Sequence, residues 1–229
     1  EKIVKGCDMI IVRELTSGIY FGTPRELGSI EAYDTCRYTV AEIKRIAHRA
    51  FAIALTRGKH VTSVDKANVL ATSKLWRKTV EEVARDYPEV TLVHQLVDSC
   101  AMRIVQQPTE FDVILTENLF GDILSDEASV LPGTLGVLPS ASHSEGGVSL
   151  YEPIHGSAPD IAGQNLANPT SMMLSVVLML RQSFEMHELA DKIEAAVYAV
   201  MNEGIVTGDL GGKATTSEVT EAVIAKLGG

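Results

Sequence analysis

The sequence predicts an α/β protein in which central sheets are flanked by helices and the chain forms two domains. Between residues 9 and 115, short apolar segments alternate with segments of helical periodicity, which is typical of a sheet covered by helices. The hydrophobic content of 45% is ample for a core. From residue 132 to residue 169 the composition changes to Gly, Ser and Pro, which predicts a domain boundary near residues 130–136.

The individual elements follow from local patterns. The first helix has the clearest start, because Thr39 followed by Glu42 is a capping-box signature, and the apolar period of 3.6 continues until Gly58 ends it. The segment 22–38 has no helical period and predicts a loop or an extended arm. The predicted strands are residues 9–12, 60–64, 90–96 and 112–115. The other predicted helices are residues 75–84, a short helix from about 98 that stops before Pro108, 117–127, 171–184, 188–203 and 218–226.

Charge and composition exclude several classes of function. A formal net charge of −10 argues against binding to nucleic acid or to an anionic membrane surface. The longest apolar stretch, residues 172–180, is too short to span a bilayer. Cys7, Cys36 and Cys100 show no CxxC spacing, so we expect neither a zinc site nor a disulfide framework, and the reducing cytosol suits them.

The acidic segment 117–127 carries the most informative pattern. Asp122 and Asp126 lie four residues apart in a predicted helix, so both carboxylates project from one face. A bare pair of this kind is usually a solvated acidic face, but Leu119 and Ile123 make these surroundings apolar. Oxygen ligands too few to enclose an ion suit Mg²⁺ or Mn²⁺. The segment therefore predicts a divalent metal site.

Four sequence blocks in order carry a family resemblance. The blocks are RELTSGIYFG at residues 13–22, SVDKANVL at 63–70, ENLFGDILSDE at 117–127 continued by LPG at 131–133, and YEPIHGSAPDIAG at 151–163. Through them the whole chain resembles the C-terminal two-thirds of the isocitrate/isopropylmalate dehydrogenase family. Family members carry a further N-terminal part, with a glycine-rich turn and two more substrate arginines, that this chain lacks. The resemblance implies an incomplete substrate, metal and dimerisation domain at residues 1–131, followed by the C-terminal part of an NAD-binding domain at residues 132–229.

The reaction implied by the resemblance is oxidation of a secondary alcohol by NAD⁺ and loss of CO₂. The blocks are most similar to the branch of the family that converts (2R,3S)-3-isopropylmalate to 4-methyl-2-oxopentanoate in leucine biosynthesis. Isocitrate, homoisocitrate and tartrate stay open as alternative substrates. The chemical group that distinguishes these acids is bound mainly by the N-terminal part of family members. A second class is non-catalytic, either a truncated dimerisation fragment or a regulatory subunit.

The resemblance also implies roles for residues of the first domain. Asp122 and Asp126 match metal ligands, and Asp98 matches a third ligand supplied by the partner of a homodimer. Lys66 matches the catalytic base, Tyr20 the acid that protonates the enolate after decarboxylation, and Arg13 a clamp for the substrate carboxylate. Taken alone, each has a simpler interpretation: Asp98 suits a helix N-terminus, Lys66 the surface, Tyr20 a half-buried strand and Arg13 a solvated strand end.

The remaining implied residues bind the cofactor or the substrate side chain. Val69 matches an apolar contact to the isopropyl group. A carboxylate at Asp160 would accept hydrogen bonds from the ribose hydroxyls and repel a 2′-phosphate, so NAD is favoured over NADP. The Lys-Tyr pair that NADP-dependent relatives carry at this place is absent here. The residues implied to bind NAD are Asn68, Glu152, His155, Gly156, Ser157, Ala158, Asp160 and Asn168.

Overall fold

A computed structural model describes residues 3–228 and divides the chain between Leu131 and Pro132 into two compact units. The strands of the first unit are β1 (Ile10–Arg13), β2 (Glu26–Leu27), β3 (Ala32–Tyr33), β4 (His60–Asp65), β5 (Thr91–Leu96) and β6 (Val113–Thr116). Its helices are α1 (Val40–Leu55), α2 (Ala71–Ala84), α3 (Val97–Gln106) and α4 (Asn118–Ser129). The α/β class and the alternation of strands and helices are confirmed.

A parallel four-stranded sheet forms the centre of the first unit, in the order β1-β6-β4-β5. Its two faces are covered by different helices because alternate side chains of a strand point to opposite sides. Val113 and Leu115 of β6 pack into a core with α1 and α2, whereas Ile114 packs with residues of α3 and α4. Both faces of the sheet are therefore buried against helices.

Local signals account for the limits of α1. Thr39 accepts a hydrogen bond from the Glu42 amide, and the Glu42 carboxylate accepts one from the Thr39 amide, so the predicted capping box is present. The helix ends at Leu55, before the predicted stop at Gly58, because the chain turns through Lys59 at a φ of 55°. Helix α2 begins at Ala71, earlier than the predicted residue 75.

The segment predicted as a loop or arm contains the short antiparallel ribbon of β2 and β3. Its apolar side chains Leu27 and Ile30 are more than 90% exposed.

The second unit consists of a hairpin and three helices. Its strands are β7 (Pro139–His143) and β8 (Ser149–Pro153), and its helices are α5 (Thr170–Gln182), α6 (His187–Asn202) and α7 (Thr216–Leu227). The helices match the prediction, whereas the hairpin lies in the Gly-, Ser- and Pro-rich segment for which no strand was expected. Helix α5 supports the hairpin, since the hydroxyl of Ser171 donates to the carbonyl of Leu138 and that of Ser175 to the carbonyl of Glu152. None of the helices among residues 3–228 is long and apolar enough to cross a membrane.

Candidate active site

The predicted catalytic residues of the first unit all lie where parallel strands end. Arg13 is the last residue of β1, Lys66 follows β4, Asp98 follows β5, and Asp122 lies in α4, the helix that follows β6. In open α/β sheets, ligands bind at the carboxyl ends of the strands, because loops there converge on one edge. The sheet therefore brings four distant sequence blocks to the same side of the unit.

Arg13, Tyr20 and Asp122 form one cluster. The Arg13 Nη1 atom lies 2.5 Å from Asp122 Oδ1, and the Tyr20 hydroxyl donates to Asp122 Oδ2 at 2.7 Å. The guanidinium carbon also lies 5.7 Å from the centroid of the Tyr20 ring. These contacts join residues that lie 109 and 102 positions apart in the sequence.

The cluster fixes the protonation states of its members. The hydrogen bond from Tyr20 and the charge of Arg13 lower the pKa of Asp122 below its ordinary value. The same hydrogen bond to Asp122 raises the pKa of Tyr20. At neutral pH Asp122 is therefore an anion and Tyr20 keeps its proton.

Asn118, which the sequence did not single out, orients Arg13. Its Oδ1 accepts from Arg13 Nε at 3.1 Å and Nη2 at 2.7 Å, and its Nδ2 donates to the carbonyl of Ser17 at 3.0 Å. Gly121 makes this approach possible, because a Cβ there would lie 2.6 Å from Arg13 Cγ. A polar residue at the start of a helix after a buried strand is the only sequence signal for Asn118.

Glu14 is a second residue that sequence reasoning missed. Its carboxylate is 2% exposed and accepts hydrogen bonds from the amides of Thr16 and Ser17 and from Arg45 Nη2 at 2.9 Å. These bonds hold the turn between β1 and Tyr20. No spacing rule links Glu14 to Arg45, so this contact was not predictable.

Lys66 and Asp98 form a separate ion pair between Lys66 Nζ and Asp98 Oδ1. The hydrogen bond from Lys66 lowers the pKa of Asp98. Asn68 and Val69, in the turn after Lys66, are exposed.

Asp122 and Asp126 both lie in α4, as predicted, one turn apart. Of the apolar side chains near the two carboxylates, Leu124 is buried but Ile123 is half exposed. The surroundings of the carboxylates are therefore more exposed to water than predicted. Asp126 is exposed, and its carboxylate has no hydrogen bond or ion pair to the described residues. Within residues 3–228, no three His, Cys, Asp or Glu side chains come close enough together to hold a metal. Two hard oxygen donors on one helical face nevertheless suit Mg²⁺ or Mn²⁺.

The predicted cofactor residues of the second unit lie in and after β8. Glu152 is in the strand, and a short 3₁₀ helix, Pro159–Ile161, carries Asp160. The Nδ1 atom of His155 lies 2.9 Å from the carbonyl oxygen of Gly156, and Ala158 has a φ of 41°. Of the predicted cofactor residues in this unit, His155 and Asn168 are half-buried. The exposed ones are Glu152, Gly156, Ser157, Ala158 and Asp160.

Asn168 is held by Asp209, another residue that the sequence did not indicate. Asn168 Nδ2 donates to Asp209 Oδ2 at 3.0 Å, and Asn168 Oδ1 accepts from the amide of Thr170 at 3.0 Å. Although burial opposes ionisation of Asp209, hydrogen bonds from Thr207, Asn168 and Thr134 lower its pKa. A Cβ at Gly136 would lie 2.7 Å from Asp209 Oδ2, so this packing requires glycine.

Comparisons with known proteins agree with this arrangement. The isocitrate/isopropylmalate dehydrogenase family model matches residues 1–223. The chain is 63% identical over 224 residues to the 3-isopropylmalate dehydrogenase of Streptococcus thermophilus, covering 98% of this chain and 65% of the relative. It is 59% identical over 229 residues to the enzyme of that name from Listeria monocytogenes, covering 100% and 65%.

Solved structures give the same result. An isocitrate dehydrogenase from Methylococcus capsulatus superimposes with a TM-score of 0.89 at 38% identity, covering 96% of this chain and 67% of that structure. A Thermus thermophilus protein gives a TM-score of 0.91 at 38% identity, covering 98% and 46%. The chain spans about two-thirds of the length of the curated relatives it matches, and it belongs to the isocitrate/isopropylmalate dehydrogenase family.

Proposed function

We propose that this chain is the larger part of an NAD-dependent enzyme that oxidises and decarboxylates (2R,3S)-3-isopropylmalate to 4-methyl-2-oxopentanoate in leucine biosynthesis. The observation that supports this most strongly is the cluster of Arg13, Tyr20 and Asp122 at the carboxyl end of the sheet. The relatives named 3-isopropylmalate dehydrogenase, at 57–63% identity, favour this substrate over isocitrate, homoisocitrate or tartrate.

Arg13 is suited to bind a substrate carboxylate. Asn118 already accepts from Nε and Nη2, which fixes the plane of the guanidinium. Nη1 faces Asp122, so an entering carboxylate can take the place of Asp122 without reorienting the arginine. A planar fork that is held in advance loses little rotamer freedom when it binds a carboxylate.

Asp122 and Asp126 are the residues that we propose for a divalent metal. Their oxygen donors, their shared helical face and the unpaired carboxylate of Asp126 fit Mg²⁺ or Mn²⁺. When bound, the metal supplies Lewis acidity toward the substrate oxygen atoms. Asp98 would complete the ligand set from the partner subunit, since residues 3–228 of one chain bring together no such group of three.

Lys66 and Tyr20 are proposed to move protons. Lys66 is only partly exposed and its amine is held by Asp98; as the neutral amine, after it has given up its own proton, it would accept the proton of the substrate hydroxyl as general base. Tyr20 stays protonated because its pKa is raised by Asp122, so it has a proton to deliver to carbon after CO₂ leaves.

NAD is proposed to bind the loop after β8 in the second unit. Asn68, which lies in the first unit, stays a proposed cofactor residue. NAD⁺, when bound, accepts the hydride from the substrate carbon. Asp160 is exposed, and no cation pairs with its carboxylate among residues 3–228, so it is available for ribose hydroxyls and would repel a 2′-phosphate. Asn168 keeps one amide hydrogen for the adenine because the other is held by Asp209. Glu152, His155, Gly156, Ser157 and Ala158 would line the rest of the pocket.

We further propose that the protein works as a homodimer in the cytosol. The helices α3 and α4 pack on each other and leave large apolar side chains at least half exposed, which is typical of a protein interface. These side chains are Met102, Val105, Ile123 and Val130. Within residues 3–228 of one chain, Asp98 does not form a metal-holding group with Asp122 and Asp126, which supports a site completed in trans, with Lys66 and Asp98 entering the neighbour's site. Because all these residues are present, a catalytic protein is favoured over a regulatory subunit. Their presence does not disfavour a truncated dimerisation fragment.

The test is an assay of a polypeptide of the relatives' full length that carries this sequence. It is supplied with Mn²⁺, either NAD⁺ or NADP⁺, and isopropylmalate, isocitrate, homoisocitrate or tartrate in turn. We expect the highest kcat/KM with isopropylmalate and NAD⁺. A higher kcat/KM with another acid would refute the substrate, and a kcat/KM for NADP⁺ that equals or exceeds that for NAD⁺ would refute the role of Asp160.

A further inference from the structure

The residue before Lys66 is a buried carboxylate. Asp65 ends β4 and is 1% exposed. Arg77 of α2 binds it with two parallel hydrogen bonds, from Nε to Oδ2 at 2.9 Å and from Nη2 to Oδ1 at 2.9 Å. A buried carboxylate needs such pairing, and the bidentate form fixes direction as well as charge.

The backbone around Lys66 is bonded to the Asp65–Arg77 pair and to the helix that carries Arg77. Asp65 Oδ1 accepts from the amide of Ala67 at 2.9 Å, and the amide of Lys66 donates to Ser73 Oγ at 3.0 Å. Ser73 and Arg77 lie four residues apart in α2, so one helical face provides both anchors. The carbonyl of Lys66 is also bonded, by the amides of residues 69 and 70. The peptide groups that set the direction of the Lys66 side chain are thus held by α2.

Among residues 3–228, the basic side chains within 4.0 Å of the Asp65 carboxylate are Arg77 and His94. His94 belongs to β5, and its Nδ1 lies 4.0 Å from Asp65 Oδ2 and its Nε2 3.4 Å from Glu81 Oε1. Burial and the charge of Arg77 lower the pKa of His94, so the ring is neutral at physiological pH. Its buried ring nitrogens have no hydrogen-bond partner within the described part of the chain.

We infer that Arg77 and Asp65 are a positioning pair that holds the backbone turn of Lys66, so that its amine reaches the substrate hydroxyl. The inference rests on the proposed function, because it assumes that Lys66 is the general base. Arg77 touches neither substrate nor cofactor in this role and acts only through the turn. The pair therefore governs the proton-transfer step and leaves substrate binding to Arg13.

The first experiment needs no catalysis. Hydrogen exchange of the Lys66 and Ala67 amides is measured in the 229-residue chain and in its Arg77→Met and Arg77→Lys variants. Arg181→Met is the matched control, since Arg181 also makes two hydrogen bonds to carboxylate oxygens, those of Asp191 and Glu194, but lies in the second unit. We expect exchange of the Lys66 and Ala67 amides to accelerate at least tenfold in Arg77→Met, less in Arg77→Lys, and not at all in Arg181→Met.

The second experiment measures kinetics of the same variants in a polypeptide of the relatives' full length. We expect Arg77→Met to lower kcat by 10- to 100-fold while KM changes less than twofold, and Arg77→Lys to restore part of kcat. The double variant Asp65→Asn/Arg77→Met removes the unpaired buried charge, so it folds if the single variant does not, and it should be equally slow. Because a smaller fraction of folded enzyme would also lower the apparent kcat at constant KM, kcat is expressed per folded molecule, measured by circular dichroism. A normal kcat per folded molecule would overturn the positioning role.

A Lys66→Met variant separates the two hypotheses. If Lys66→Met is inactive but Arg77→Met has normal kcat or normal amide exchange, the positioning role is wrong and the proposed function stands. If Lys66→Met keeps its turnover, the role of Lys66 as base is wrong, and the positioning inference fails with it.

Discussion

The two units of the molecule differ in how their buried cores are arranged. The first has a four-stranded parallel sheet with a separate core on each face, whereas the second has a two-stranded hairpin beside three helices. In the second unit, α5, α6 and α7 leave an apolar groove of about 190 Å³, and Met172 and Ile224 are about half or more exposed. The comparison teaches that a sheet covered on both faces brings the proposed site residues of the first unit to one edge, whereas the helices of the second unit leave an apolar groove open.

We expect the largest effect from a substitution that removes a proposed metal ligand in the first unit. Asp122→Asn removes one of the three proposed metal ligands, and metal catalysis supplies several kcal/mol of transition-state stabilisation. We expect Mn²⁺-dependent turnover of a full-length polypeptide to fall by about 1000-fold or more, and Mn²⁺ binding measured by calorimetry to be lost.

Asp86→Asn, a change at an exposed residue of the same unit, serves as the control and should alter neither quantity. Unchanged metal affinity in Asp122→Asn would show that α4 is not the metal-binding helix.

The next effect tests whether the units unfold separately. Phe51 is fully buried and stacks on Tyr87 at 5.2 Å, so Phe51→Ala should cost about 3–5 kcal/mol. Leu174→Ala, in the second unit, should cost about 2–3 kcal/mol because its core is smaller and can relax.

Trp76, the only tryptophan, reports on the first unit, and far-ultraviolet circular dichroism reports on both. Phe51→Ala should lower the urea midpoint of the fluorescence transition, whereas Leu174→Ala should shift only a dichroism transition. Equal shifts of the fluorescence midpoint in both variants would mean that the units unfold as one.

A smaller effect concerns the ion pair between Arg13 and Asp122 in the proposed site. Arg13→Met removes a charged hydrogen-bond donor worth about 1.5–3 kcal/mol to a carboxylate, so we expect KM for the substrate to rise by about 10- to 150-fold. The same change frees Asp122 from its cation, so Mn²⁺ alone should bind more tightly.

Calorimetry on the 229-residue chain tests the second statement, with Arg181→Met as the control. Weaker Mn²⁺ binding in Arg13→Met would contradict the view that Arg13 and the metal compete for Asp122.

The smallest effect compares the two capping boxes, Thr39–Glu42 of α1 and Thr215–Glu218 of α7. Although burial opposes it, hydrogen bonds from Ser17 and Thr39 lower the pKa of Glu42. A lowered folded-state pKa gives stability that is present above the unfolded pKa of about 4.3 and is lost as pH falls through the folded pKa.

Thr39→Ala should therefore cost about 1 kcal/mol at pH 7 and progressively less as pH falls below about 4. Thr215→Ala should cost less, because Glu218 is fully exposed and screened by water. Urea unfolding at several pH values measures both. A cost of Thr39→Ala that grows in acid would contradict the assignment.

Much of the first unit was predictable because its signals are local. The capping box at Thr39, the apolar strands and the spacing of Asp122 and Asp126 each depend on a few neighbouring residues. The hairpin of β7 and β8 was missed because its strands are short, rich in Ser and lack alternation, and because α5 stabilises them through Ser171 and Ser175. The pair Gly146-Gly147 between the strands was the available signal.

The supporting residues of the site were less predictable than its catalytic residues. No spacing rule marks Asn118, Glu14 or Arg77. Each of them acts through contacts to residues distant in sequence or through a buried carboxylate. The site residues recognised by resemblance were found as whole motifs, whereas the polar contacts that orient them arise only from packing of the sheet and its helices.

The pairing of β1 with β6 also has a consequence for synthesis on the ribosome. Arg13 and its orienting partner Asn118 are 105 residues apart, and β6 is the only strand that pairs with β1 among residues 3–228. At about 5–20 residues per second, roughly 5–20 s pass between translation of the two residues. During that interval the edge of β1 that β6 covers has no partner strand from residues 3–228. Arg13 gains its orienting partner only after α4 has been made, so a chain released before that point lacks the proposed carboxylate clamp.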